Sequence, residues 1–378
     1  TGVYNDGIGA YALGKNTTGV ENSAHGYSAL WNNTTGSSNV AVGGRALTTN
    51  STANDNTAVG FHAMYDNTTG DKNVGIGASA LANNTTAQHN TAIGWQAMIT
   101  NTTGYNCVAV GKGALENNNV EGNTAIGYGA LGTNTTGNNN TAVGRNALDA
   151  NTTAGDNTAV GRNALYANTT GTRNTAIGDI AAGAVTTGTD VTAVGWRALT
   201  VNTGSENTAV GSRSLDANTT GTRNTAMGDL SATENETGTD ITAIGWNALR
   251  YATGNSNTAV GSRSQDATTT GQYNTSMGDM SLSANTTGEK NTAVGQAALQ
   301  SNTTGNRNVA VGRIALYTNT TGDYNTALGQ GAMYYNNADL NTSIGYESMN
   351  ANTTGTENVA VGAYALDANT TADYNVAV

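Results

Sequence analysis

Proline is absent from the 378-residue chain. Proline donates no backbone hydrogen bond, so its exclusion is what a structure of uninterrupted ladders requires. Cysteine occurs once, as Cys107, which rules out an intramolecular disulfide and says little about redox compartment. Charge is scarce (11 % Asp, Glu, Lys and Arg), and the net charge of −11 is scattered along the chain. No basic stripe is present to neutralise phosphates, which excludes nucleic acid as the natural partner and argues against docking on anionic membranes. No apolar run approaches the roughly 18 residues of a membrane span, so this segment is not expected to insert. Disorder is disfavoured too, because Val and Leu recur in fixed phase in a chain of low charge.

What is present is a repeat. Asn-Thr-Ala-Val-Gly is followed by two variable residues, Ala-Leu and Asn-Thr-Thr-Gly. Its anchor glycine runs from Gly9 through Gly43, Gly144 and Gly261 to Gly362, seventeen residues apart with four intervals of sixteen. A fixed short period marks a solenoid, and no composition boundary interrupts it. The expectation is one continuous array over 1–378, a segment of a longer chain, because it opens inside a Thr-Gly turn and stops at Val378. Residues 157–206 and 207–256 match closely, the trace of a duplicated three-coil block.

So much Gly, Asn and Thr makes poor helix. The spacing predicts an all-β parallel β-solenoid, a β-roll of about 22 coils with two short strands each, roughly 105 Å long at one strand spacing per coil. Before the glycine, Thr or Val and then Val or Ile stand two apart, as in Thr57 and Val59. They share a face, which is expected to point inward, with the intervening Ala58 outward. After the glycine, the Ala46-Leu47 type of pair is expected to form the second strand with Leu buried. The sixteen-residue repeats lose their residue between the Leu column and the next Asn, in turn chemistry that absorbs deletions. A stacked Asn column (Asn22, Asn39, Asn56 and onward) can hydrogen-bond along the axis. Cys107, Val191 and Ile241 replace it at three coils and read as local register adjustments.

One Val or Ile and one Leu per coil is a thin core for seventeen ordered residues. Lateral association over the Ala face is therefore expected, most simply as a parallel homotrimer, and open strand edges favour head-to-tail stacking. The motif Asn-Thr-Ala-Val-Gly-x-x-Ala-Leu, with Asn-Val-Ala-Val-Gly at 39–43 and 308–312, resembles the YadA-like head repeat of trimeric autotransporter adhesins. The likeness covers the whole chain. It implies a left-handed parallel β-roll that trimerises and a surface fibre role. Similar repeats occur in phage tail-fibre-like proteins. The long Asn-Thr-Thr-Gly turns and the Ala-Leu pair depart from the adhesin pattern.

The function these readings favour is a non-enzymatic structural and adhesive fibre segment, extracellular, on a cell or virion surface. The alternatives are a phage tail-fibre shaft and a filament subunit stacked head to tail. Catalytic, cofactor and metal sites are not expected. His25, His62 and His89 occupy three different columns, His25 as a defect in the inner one, and no Ser, His and Asp arrangement recurs. Gly7-Ile8-Gly9 lacks the strand–helix context of a dinucleotide loop. The candidate contact surface, for a host-surface or glycan ligand, is the column after the anchor glycine: Tyr27, Phe61, Trp95, Tyr128, Trp196, Trp246 and Tyr346. Its competing reading is packing on a neighbouring protomer's turn. Sequons stand at Asn16, Asn67, Asn101, Asn168, Asn302 and Asn352, where turn composition is the favoured account for a bacterial or phage source and glycan attachment the alternative in a glycosylating host. An ice-binding Thr array is ranked low, because the strand Thr is expected to face inward.

Overall fold

The computed structural model describes residues 2–378. The chain forms two compact units, one reaching Asp190 and one from Val191 to Val378, and both are parallel β-solenoids. Twenty-three strands alternate with turns, from Asp6–Ile8 to Val376–Ala377, and no helix occurs among the described residues. Each strand pairs in register with its equivalent one coil away. In the first unit Thr141, Thr158 and Thr175 stand in line. In the second, Thr208, Thr225 and Thr242 do.

The four short coils keep this register, as in Val108↔Thr124 and Thr242↔Thr258. The missing residue lies where the deletion pattern places it. Asn118 and Asn123 bond across five residues, while the corresponding Asn134 and Asn140 are six apart. A strand could not lose a residue without reversing every side chain beyond it.

The facing of the strand is the reverse of the sequence expectation. Its central Ala is fully buried, as at Ala41, Ala142 and Ala259, while the flanking Thr or Val and Val or Ile lie half-exposed on the outside. The interior is a narrow space between the strand and the Ala-Leu segment, and beside the strand it takes only a small side chain, Ala in most coils and Ser at 276 and 343. Gly75 shows how tight the fit is: a Cβ there would lie 2.7 Å from Cγ of Met64, which fills the Leu position. The Ala column is thus unavailable as a lateral contact face, and the thin-core argument for association over it loses its premise. His25 also faces outward, with Nε2 3.0 Å from the Asp6 carboxylate.

The second expected strand is absent, so each coil has one strand. Ala46-Leu47 and its equivalents are buried as expected, but the backbone there is not extended. Leu47 has φ 48° and Arg45, two residues earlier, has φ 62°, and this alternation recurs in coil after coil. Arg45 N–H donates to Tyr27 of the preceding coil, and Leu47 N–H to Ala63 of the following one. The left-handed residues turn successive peptides along the stacking axis while the chain bends around the core. A left-handed Leu is uncommon and leaves no mark in composition, which is why the pattern reads as a strand.

Two Asn ladders complete the interior. In the expected one, the Asn39 N–H donates to Asn22 Oδ1 (3.0 Å) and Asn39 Nδ2 to the Ala53 carbonyl (2.8 Å). The second is built from the first Asn of each Asn-Thr-Thr-Gly turn. Asn50 Nδ2 donates to Asn33 Oδ1, and Asn67 Nδ2 to Asn50 Oδ1, both at 2.9 Å. Cys107, Val191 and Ile241 sit buried in the first ladder. The Cys107 thiol points at the Val120 carbonyl (3.2 Å), and burial pushes its pKa up, which leaves it a poor nucleophile.

Candidate contact site

The column after the anchor glycine follows directly from the bend. The strand ends, the chain turns at a glycine of φ near 130°, and the next side chain is thrown outward. All seven ring residues named from sequence are between 42 % and 60 % exposed. They make contacts along the column and with its neighbours. Tyr27 meets Tyr11 edge-on at 5.8 Å, and Tyr346 meets Tyr364 at 5.4 Å. Phe61 stacks on His62 at 4.1 Å, which in turn stacks on Tyr65. Arg197 lies over Trp196. Trp246 belongs to the same exposed set.

At one place the column widens into a hollow of about 400 Å³, lined by Trp95, Lys112, Glu116, Tyr128 and Asp149 among others. Its origin is local loss of side chains. Gly113 and Gly129 (φ 63° and 61°) replace the left-handed residues that other coils carry, such as Gln96 and Asn146. Gly132 stands between Glu116 and Asp149 in their own column, and a Cβ on it would lie 3.1 Å from Asp149 Oδ1. Lys112 Nζ lies 4.6 Å from the Trp95 ring centre and 5.5 Å from that of Tyr128, holding a cation between two aromatic faces. The Asn117 amide donates to the Gly132 carbonyl at 2.9 Å across the floor. The sequence signal for this hollow is glycine at 113, 129 and 132, in columns where other coils carry side chains.

Burial raises the pKa of the Asp149 carboxyl, and the Glu116 carboxylate raises it further. A raised folded-state pKa means the native state holds the proton more tightly than the unfolded chain. Stability therefore falls as pH climbs from the ordinary Asp range, about 4, through the folded value. Asp149→Asn is expected to raise the thermal midpoint of the chain at neutral pH and to make no difference below about pH 4. Melts followed by circular dichroism at both pH values check this; a gain independent of pH would contradict it.

Neither a protein-family model nor a curated protein matches the chain.

The other predicted residues are not gathered into a site. His62 lies in its ring stack, its pKa lowered by burial and then by Arg45, and His89 lines a separate shallow hollow with Tyr105. No group of three or more His, Cys, Asp or Glu able to hold a metal exists among the described residues. The sequon residues Asn67, Asn101, Asn168, Asn302 and Asn352 are fully buried. Each donates through Nδ2, the atom that would carry a glycan, to a turn glycine carbonyl. Asn16, part-buried, does the same to Gly19.

Proposed function

We propose that this chain is a non-enzymatic structural and adhesive segment of an extracellular fibre, with the ring column as its contact surface. One observation carries the reading. The Asn, Ala, Leu and turn Thr side chains that recur from coil to coil are spent on holding coil to coil, whereas the column after the anchor glycine varies freely and carries its rings exposed. The Asn ladders, the Ala-Leu interior and the turn Thr hydroxyls, such as Thr68 Oγ1 donating to the Thr85 carbonyl, all belong to the first class. Such a division suits a scaffold that displays a changeable surface.

Within that surface the hollow around Trp95 and Tyr128 is the strongest contact point. Flat rings flanked by carboxylates and amides suit the apolar faces and hydroxyl groups of a glycan. The double variant Trp95→Ala, Tyr128→Ala is expected to lose retention on a panel of immobilised polysaccharides that the parent chain binds. Its circular dichroism should not change, because both rings lie outside the core. Unchanged retention by a folded double variant would refute this placement of the contact site.

A further inference from the structure

The outward turn of the strand face exposes an array that the expected inward facing would have hidden. In the second unit seven successive strands place Thr192, Thr208, Thr225, Thr242, Thr258, Thr275 and Thr292 in one column. Val194, Val210, Met227, Ile244, Val260, Met277 and Val294 stand beside them, and both columns are half-exposed to exposed. The register is unbroken even across the two short coils in this stretch. No charged or aromatic residue occurs in any of these strands. Within the described residues, none of the seven Thr hydroxyls hydrogen-bonds to the protein, unlike the turn Thr hydroxyls.

We propose that this Thr and aliphatic face binds ice. Paired parallel strands lie about 4.8 Å apart, and residues two apart along a strand are separated by roughly 6.7 Å. The face therefore offers a two-dimensional lattice of hydroxyl groups and methyl groups. Each free hydroxyl must be satisfied by water, and the methyls confine the waters between them. Water held at such spacing approximates the oxygen repeat of hexagonal ice. A rigid lattice can join a growing ice front at many points together, where a mobile surface could not. The rigidity comes from the anchor glycines and Asn ladders, which hold each coil to the next.

Two rival occupants fit less well. Protein interfaces concentrate aromatic and Arg anchors at their centre, and these strands have neither. An anionic surface would need cations, which are absent as well.

The test uses the 378-residue chain. Thermal hysteresis and inhibition of ice recrystallisation are expected from the parent. Thr208→Lys, Thr225→Lys and Thr242→Lys together should abolish both while leaving circular dichroism unchanged. The milder Thr225→Val, which keeps the shape and removes one hydroxyl, should reduce them. Trp246→Ala, in the ring column, should leave them intact. Absence of both activities in the folded parent would overturn the proposal, as would equal loss from Trp246→Ala. A parent that sediments as an oligomer and becomes monomeric in the triple variant would assign the face to a second copy, and would overturn it too.

Discussion

Gly144→Ala is expected to destabilise the first unit more than any single change on the surface. Gly144 has φ 133°, a conformation L-residues avoid. A Cβ there would lie 2.5 Å from the carbonyl oxygen and 2.6 Å from the carbonyl carbon of Gly161 in the next coil. The obstacle is backbone, so no side chain can move aside, and the coils would have to part. Conformational strain costs roughly 1–3 kcal/mol, and forcing the backbone aside adds about 1–3 kcal/mol. The thermal midpoint should fall by on the order of 10 °C, with hydrogen-exchange protection lost first around residues 144 and 161. Gly362→Ala is the control. It shares the unfavourable φ (125°), but a Cβ there meets only Ala365, at 4.0 Å. Its cost should be the conformational part alone. If the two variants melt alike, coil-to-coil contact is not what demands glycine.

The contrast with the turn glycines supports that reading. A Cβ on Gly36 would lie 2.3 Å from the Ala53 carbonyl, yet alanine stands in that column at Ala53, Ala87 and Ala154. The turn backbone has an ordinary φ, and a small rotation carries the methyl clear. At the anchor no such rotation exists, and glycine fills the position in every coil.

Asn140→Ala should produce the second large effect. Asn140 is fully buried. Its Nδ2 donates to the Ala154 carbonyl at 2.9 Å, and its Oδ1 accepts from the Asn157 N–H at 3.0 Å. Alanine leaves the Asn157 N–H without its acceptor in the interior, at about 1–3 kcal/mol for an unsatisfied buried group. It also removes one of the two donors to the Ala154 carbonyl, which keeps Asn151 Nδ2 at 2.9 Å. The residue's own N–H is served by Asn123 at 2.8 Å whatever its side chain. Cys107 and Ile241 keep the same service from Asn90 and Asn224. The damage therefore falls one coil further on.

Asn140→Asp adds a pH signature. An ionised Asp would keep the bond from Asn157 but aim a carboxylate at the Ala154 carbonyl, so burial should raise its folded pKa. Protonated, it can donate. The variant should be closest to the parent in acid and lose stability as pH rises through the folded value. Chemical denaturation at acid and neutral pH reads this directly; a pH-independent loss would show that the ladder acts by packing alone.

Much of this was legible along the chain. The period, the single-residue deletions between the Leu column and the next Asn, the buried Leu and the exposed ring column were read from spacing. The facing of the strand was not. Thr57-Ala58-Val59 alternates equally well either way up, and hydrophobicity favours burying Val. The second Asn ladder hid inside turn chemistry, because Asn in Asn-Thr-Thr-Gly has a local reason to be there. The hollow at Trp95 needed three glycines to be seen as neighbours in space.

Local chemistry by itself determined that this chain coils with a fixed period, that its bends require glycine, and that ladders hold it together. Only the tertiary structure decided which side of each strand faces the interior. That choice depends on the room left once the Leu side chains and two Asn columns share one narrow core. Alanine fits there, and valine and threonine are left to meet the solvent.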